Sequence, residues 1–411
     1  VRGLRRAALR VRGPLGRLLT GPAGTTMGRY RRDPAALAAL VRDDAVHRDV
    51  YVDAEVFALE RERLWARRWI YAGHDSQVPQ AGDRLAVEVA GRPLAIGRGA
   101  DGTVGVIPLR PGADAAALPA GVAVHRGFVF VRLSADGPSF DDWAGPMRAV
   151  IDRVADRSPS GALRVAGAPI RSVFRANWKT YVENINDTVH PPATHVSAAE
   201  AATGVWAGRP ADAVKPMSMQ QLLPFGSGYD FFERMGGRVL AGGHSLLGTR
   251  ASIHSSYEGL DGYEAALAAA HGEARAREVL AFAPQNALFY PSLSMKAQPT
   301  AIRVIRPLAV DRTLVEAWAF QPVDAPAVLS RRAVMYNRLV FSPMSVLAHD
   351  DLHVFESIQL ALRADGNPWV SLHRGARIGA DEAAALPADV GGTDERLIRN
   401  QFRAWREAMA A

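Results

Sequence analysis

The chain has 411 residues, of which 48% are hydrophobic and 22% charged, the proportions of a globular protein long enough for two domains. The formal charge is +7, but residues 1–32 hold nine arginines and no acid, leaving the remainder at −2; a basic nucleic-acid-binding face on the folded part is excluded. There is no cysteine, which excludes disulfides, thiol nucleophiles and any iron–sulfur cluster held by this chain's own thiolates.

No apolar run is long enough to cross a bilayer, and no strong apolar stretch follows the N-terminal arginines, so no secretory signal is expected. The reading is a soluble, cytoplasmic chain with no membrane and no nucleic-acid partner. Residues 1–32 are expected to be a basic, disordered tail, with Met27 a candidate start of the structured part.

Asp33-Pro34 reads as an N-cap followed by proline at the first helical position, with Ala35–Val41 continuing the helix. Ala54–Trp69 places Val56, Leu59, Leu64 and Trp65 among many Arg and Glu, the pattern of an amphipathic helix laid on a sheet. Residues 33–70 are therefore expected to be helical. Leu85–Val89, Pro93–Gly97 and Thr103–Pro108 read as strands, with Asp101-Gly102 a hairpin turn. The loop Leu109–Gly121 offers no metal-binding set. Val122–Leu133 reads as one further strand with Phe128 and Phe130 on one face, and His125-Arg126-Gly127 is taken as part of it. Residues 33–165 thus form a small β-rich domain with helical flanks.

From Ile170–Ala176, a strand, the chain enters a helix around Lys179–Val189. Gly262–Leu280 reads as helical, and Leu288–Tyr290, Ala301–Pro307 and Thr313–Gln321 as antiparallel strands. Ala327–Leu360 is expected to be mainly helical. Asp394–Met409 aligns Ile398, Phe402, Trp405 and Met409 on one face, which marks a helix that docks on the body of the protein.

The chemistry concentrates in Asn177–Ser197, N-W-K-T-Y-V-E-N-I-N-D-T-V-H-P-P-A-T-H-V-S. Asp187, His190 and His195 follow the pattern D-x2-H-x4-H. Two neutral imidazoles and a carboxylate from elsewhere make a mononuclear iron(II) site with positions open to oxygen. On an ideal helix His190 and His195 diverge by about 140°, so Pro191-Pro192 must bend the chain for both to serve, leaving Asp187 one turn below His190 on the same side. The bland alternative is a pair of buried structural histidines. Asp187 reads as a carboxylate that orients His190 through its free ring nitrogen. Asn184 is a candidate pocket residue or a structural amide. The other nine histidines (His47, His74, His125, His244, His254, His271, His349, His353 and His373) are read as structural.

Taken together, the chain from about residue 45 onward resembles the catalytic large subunit of the Rieske non-haem iron ring-hydroxylating oxygenases. W-I-Y-A-G-H-D-S-Q-V-P-Q-A-G-D is similar to that family's entry into its Rieske domain, R-G-F-V-F-V-R-L to its exit, and N-W-K…E-N…D-x2-H-x4-H to its iron-site helix. The family places a carboxylate ligand five residues ahead of a glutamate, which Glu356 carries back to Asp351, with Asp350 its neighbour. The chain departs from the family where a C-x-H and a C-x2-H pair should hold a [2Fe–2S] cluster, since it has neither.

The resemblance implies an α+β fold: a degenerate Rieske-type β domain over residues 33–165 and a helix-grip catalytic domain over 166–411, with a curved antiparallel sheet around a long helix. It implies mononuclear Fe(II) on His190, His195 and Asp351, with Asp187 bridging and Asn184 beside the substrate. It implies hydroxylation or oxidative dealkylation of a small aromatic or similar organic substrate. NADH-derived electrons would arrive through a ferredoxin or reductase and a Rieske-bearing partner subunit, in a trimeric or hexameric assembly. The competing expectation is a catalytically inactive structural or regulatory subunit of such an assembly.

Overall fold

The computed structural model describes residues 28–109, 118–253, 260–377, 379 and 381–410. The tail through residue 27, residues 110–117 of the expected loop and His254 lie outside the described residues.

The fold is mixed helix and antiparallel sheet. Nine described strands form one sheet, running in the order Ala388–Val390, Gly237–Val239, Ser245–Leu247, Asn286–Phe289, Leu293–Lys296, Ala301–Ala309 and Arg312–Pro322. The last of these is long enough to pair Ile170–Phe174 along its first half and Leu163–Val165 at its end. Two three-stranded antiparallel sheets precede it in the chain. One joins Arg84–Val89, Arg92–Arg98 and Val104–Pro108; the other joins Ile70–His74, Phe128–Arg132 and Gly121–His125.

Several expectations are corrected. Residues 33–70 are not continuously helical, because Ala45–His47 pairs with Trp369–Ser371 as a short sheet. The basic segment does not stay outside the fold to residue 32: Arg29–Arg32 make a helical turn that buries Tyr30, whose hydroxyl donates to Asp49. Val122–Leu133 is a hairpin rather than one strand. Arg126 and Gly127 both take positive φ (50° and 86°), the two-residue turn whose twist suits paired strands. Between Tyr336 and Val346 the expected helix is interrupted at Ser342, and Ser345 caps the helix Val346–Ala361 by accepting from Ala348 N at 3.2 Å.

The apolar cores cross the expected boundary at residue 165. Trp65 packs edge-on against Trp178 (5.1 Å between ring centres), and both lie in the cluster that takes in Phe402 and Trp405 of the C-terminal helix Arg396–Ala410. Under this cluster sits Glu60, fully buried. It accepts from Lys179 Nζ at 2.6 Å, Trp178 Nε1 at 2.9 Å and Trp405 Nε1 at 2.7 Å. A buried carboxylate is tolerated when such donors satisfy it, and these three come from two elements more than 200 residues apart in sequence. The node fixes the helix Trp178–Asn186, which carries the functional segment.

Candidate metal centre

Asn177 starts that helix by accepting from Lys179 N at 3.2 Å, a side-chain cap for a donor that has no helical partner. The helix ends at Asn186, before the prolines. Asp187 is extended (φ −107°, ψ 141°), and its Oδ2 accepts from Val189 N at 3.1 Å and His190 N at 2.7 Å. This local carboxylate–backbone turn competes with the helix and ends it. Pro191 and Pro192 then begin a new short helix, His190–Thr194, where proline fits because the first-turn N–H groups have no acceptor. The expectation that the prolines break the first helix, with Asp187 a helical turn below His190, is thus corrected: the break lies at Asp187 itself.

The bend nonetheless brings the predicted ligands together. One ligand atom from each of His190, His195 and Asp351 lies within 4.8 Å of the others, the one such group among the described residues. Asp351, in the second turn of Val346–Ala361, sets its Oδ1 3.4 Å from His195 Nε2 and 3.8 Å from His190 Nε2. Glu356, one turn further on, accepts from Arg175 N at 3.1 Å and ties this helix to the strand Ile170–Phe174.

Each histidine has a carboxylate behind it. Asp187 Oδ2 lies 2.9 Å from His190 Nδ1, so Nε2 is the nitrogen left to face an ion. Asp350 Oδ2 lies 3.6 Å from His195 Nδ1, and both atoms are buried without a hydrogen bond. Burial disfavours a charged His195, but Asp351 and Asp350 outweigh it and hold the imidazole above its ordinary pKa. Asp187 is held below the usual carboxylate range: burial acts against this, and His190 with Arg374 overcomes it. Arg374 donates to Asp187 Oδ1 at 3.1 Å.

The donors suit a divalent first-row ion. Such ions bind nitrogen and oxygen at about 2.0–2.2 Å, so two donors on one ion sit about 3–4 Å apart, close to the separations found here. Asn184 stands on the inner side of the set. Its Nδ2 lies 3.0 Å from His190 Nε2 and 3.1 Å from Asp351 Oδ1, so loading an ion requires this amide to turn or withdraw. All five residues singled out from the sequence, Asn184, Asp187, His190, His195 and Asp351, line one cavity, walled by Phe225, Phe232, Leu347 and Phe355 among others.

Sequence reasoning missed Asp350 as a partner of His195, and it missed Arg374, whose loop carries no local motif. It also missed Lys296 and Arg303, which line the same cavity. For these two a signal exists: each is a charge in a strand whose other residues are mostly apolar.

Residues 140–411 match the family described as ring hydroxylating alpha subunit (catalytic domain). The toluate 1,2-dioxygenase subunit alpha of Pseudomonas putida is 26% identical over 423 residues, spanning 88% of this chain and 90% of that protein. The N,N-dimethyl phenylurea N-demethylase subunit alpha of Sphingobium sp. (strain YBL2) is 24% identical over 79% of this chain and 82% of its own length. Among solved structures, naphthalene 1,2-dioxygenase from Rhodococcus sp. bound to indole superposes with a TM-score of 0.67 at 19% identity, covering 89% of this chain and 94% of that one.

Proposed function

Because the chain belongs to the ring-hydroxylating alpha-subunit family, whose relatives named above are a dioxygenase subunit and an N-demethylase subunit, we propose that it is a mononuclear non-haem iron oxygenase subunit dependent on a separate electron-transfer partner. The observation that carries this reading is the convergence of His190, His195 and Asp351 in a chain with no cysteine.

Bound on these residues, ferrous iron would supply oxygen activation, with coordination positions left open beside a two-histidine, one-carboxylate face. The chain's own groups prepare that face. Asp187 fixes the His190 tautomer and ring orientation, Asp350 stands behind His195, and the apolar walls around Phe225 and Phe355 keep water from the reacting atoms. On this reading Asn184 contacts substrate, a role supported by its position on the cavity wall beside His190 and Asp351.

On this reading residues 33–165 are a degenerate Rieske-like domain, and residues 166–411 are the catalytic domain, its curved sheet wrapped around a long helix. Without cysteine the chain holds no thiolate-bound cluster. Electrons come instead from a Rieske [2Fe–2S]-bearing subunit supplied by NADH through a ferredoxin or reductase, in a trimeric or hexameric assembly in the cytoplasm. Asp187 and the partly exposed Arg374 mark where that electron path reaches this chain. The reaction is hydroxylation or oxidative dealkylation of an aromatic or similar small molecule. The named relatives span an aromatic acid, a phenylurea and a hydrocarbon, so kinship alone leaves the substrate open. A purely structural subunit would require neither the convergent ligands nor the paired carboxylates behind them.

The deciding experiment is iron per chain after anaerobic loading with Fe(II). The expected result is about one iron for the native protein and less than about a tenth of that for Asp351→Ala, as a three-ligand site predicts. No iron in either protein leaves the structural-subunit reading in its place.

A further inference from the structure

Two buried cations face the metal cavity, and no described carboxylate answers them. Lys296 and Arg303 lie on neighbouring strands, Leu293–Lys296 and Ala301–Ala309, whose register sets Ser294 opposite Arg303 and Lys296 opposite Ala301. Side chains alternate along a strand, so Ser294, Lys296 and Arg303 share one face of the sheet. Lys296 and Arg303 are each 4% exposed, and both line the cavity that holds His190, His195 and Asp351.

Their contacts are neutral. Lys296 Nζ donates to the Gln285 carbonyl at 2.6 Å and lies 5.6 Å from the centre of the Tyr336 ring. Arg303 donates through Nη2 to Asn286 Oδ1 and, at 2.9 Å, to Ser294 Oγ. Its Nε is buried with no acceptor, and the guanidinium lies over Phe341 at 4.8 Å and Tyr181 at 5.7 Å. Burial and the neighbouring Arg303 together push the Lys296 ammonium well below its ordinary pKa.

Three other buried cations among the described residues have structural employment. Lys179 sits on Glu60, Arg399 on Glu382, and Arg157 donates to the carbonyls of Val279 and Phe282 beside the helix Glu273–Ala281. Lys296 and Arg303 instead stand on one face of neighbouring strands, where each disfavours the other's charge. Burying charge without an opposite charge is unfavourable, and a bound anion would favour the protonated form of Lys296 and offset the penalty on Arg303 at once. Tyr181 and Tyr336 each fall within electrostatic reach of both Arg303 and Asp351, so the cationic end and the metal end belong to one compartment.

We propose that the substrate carries a carboxylate, held by Lys296 and Arg303, with its aromatic body directed toward His190, His195 and Asp351. This rests on the oxygenase reading for the fate of the molecule but not for its binding, which the cations would perform without turnover.

The test uses the full chain loaded anaerobically with Fe(II), titrated calorimetrically with matched acid and amide pairs: benzoate and benzamide, phenylacetate and phenylacetamide, 1-naphthoate and 1-naphthamide. At least one acid should bind tenfold or more tighter than its amide and raise the melting temperature. Lys296→Met and Arg303→Gln should each weaken that acid at least tenfold and shift the amide less than threefold. Should Arg303→Gln fail to fold, Lys296→Met decides alone. Amides binding as well as acids throughout, or an acid preference untouched by the substitutions, overturns the proposal. Iron determined on the same samples separates the two readings. Iron without acid preference removes the anion site alone, and acid preference without iron removes the oxygenase reading while the anion site stands.

Discussion

Asp187 holds His190 at two points, accepting from its backbone N–H at 2.7 Å and approaching its ring Nδ1 at 2.9 Å with the same oxygen. The other oxygen takes Arg374. One carboxylate therefore sets the backbone turn, the ring tautomer and a link toward the surface.

Replacing Asp187 by Ala should leave about one iron per chain at saturating Fe(II), because the three ligands remain. Turnover with a Rieske partner and reductase should fall by about 10–100-fold, the usual consequence of losing the group behind a metal-bound histidine. Steady-state oxygen consumption coupled to product checks this; full coupled turnover removes the proposed role.

Glu60→Ala should lower unfolding stability by about 3–5 kcal/mol, since it leaves the buried Lys179 ammonium without its counter-charge. The double substitution Glu60→Leu with Lys179→Met should recover only part of that loss, because Trp178 Nε1 and Trp405 Nε1 are left without their acceptor. Urea unfolding of the single and double variants measures both. A loss below about 1 kcal/mol in Glu60→Ala would show that solvent or another group takes over the ammonium.

Glu183, one turn after Lys179, is half-buried with its Oε1 enclosed, and that desolvation, with Asp187 and Glu395 nearby, raises its pKa from 4.5 to about 8 despite the opposing Tyr51 hydroxyl and Lys179 ammonium. Between those values the unfolded chain releases a proton that the folded chain retains. Stability from this group therefore falls as pH rises through the window and is level on either side. Glu183→Gln should match the native protein near pH 4.5 and exceed it by roughly 2–5 kcal/mol at pH 8.5. Denaturation at the two pH values decides; an equal difference at both would place the titration elsewhere.

Gly127→Ala should destabilise by about 1 kcal/mol or more. The residue sits at φ +86°, and an added Cβ would come 2.6 Å from the His74 ring. The same substitution at Gly102, also at positive φ but with open space around it, should cost less. Thermal unfolding of the pair separates steric from conformational cost.

What could be read from the sequence was what local pattern encodes. The candidate ligands His190, His195 and Asp351, which the structure brings together, were named from spacing and resemblance, and the docking face of Ile398, Phe402, Trp405 and Met409 followed from helical period. What escaped depends on distant partners. Ala45–His47 is a strand only because Trp369–Ser371 arrives beside it, and Arg374 reaches Asp187 across 187 positions. The end of the first helix at Asp187 escaped for a different reason. Prolines are a stronger textual signal than an aspartate, yet the aspartate's oxygen captures two backbone N–H groups before the prolines are reached. Arg126-Gly127 was legible in principle, since a glycine inside a strand pattern is itself a turn signal.

The Trp405–Glu60 contact also orders events during synthesis. Residues 54–65 emerge from the ribosome more than 300 residues before the indole that completes their burial. Until then Trp65, Leu64 and Leu59 lack the cover that the last helix provides. Residues 54–65 therefore reach their final packing only after the helix Arg396–Ala410 has been made, and in the meantime their apolar face is a binding surface for chaperones.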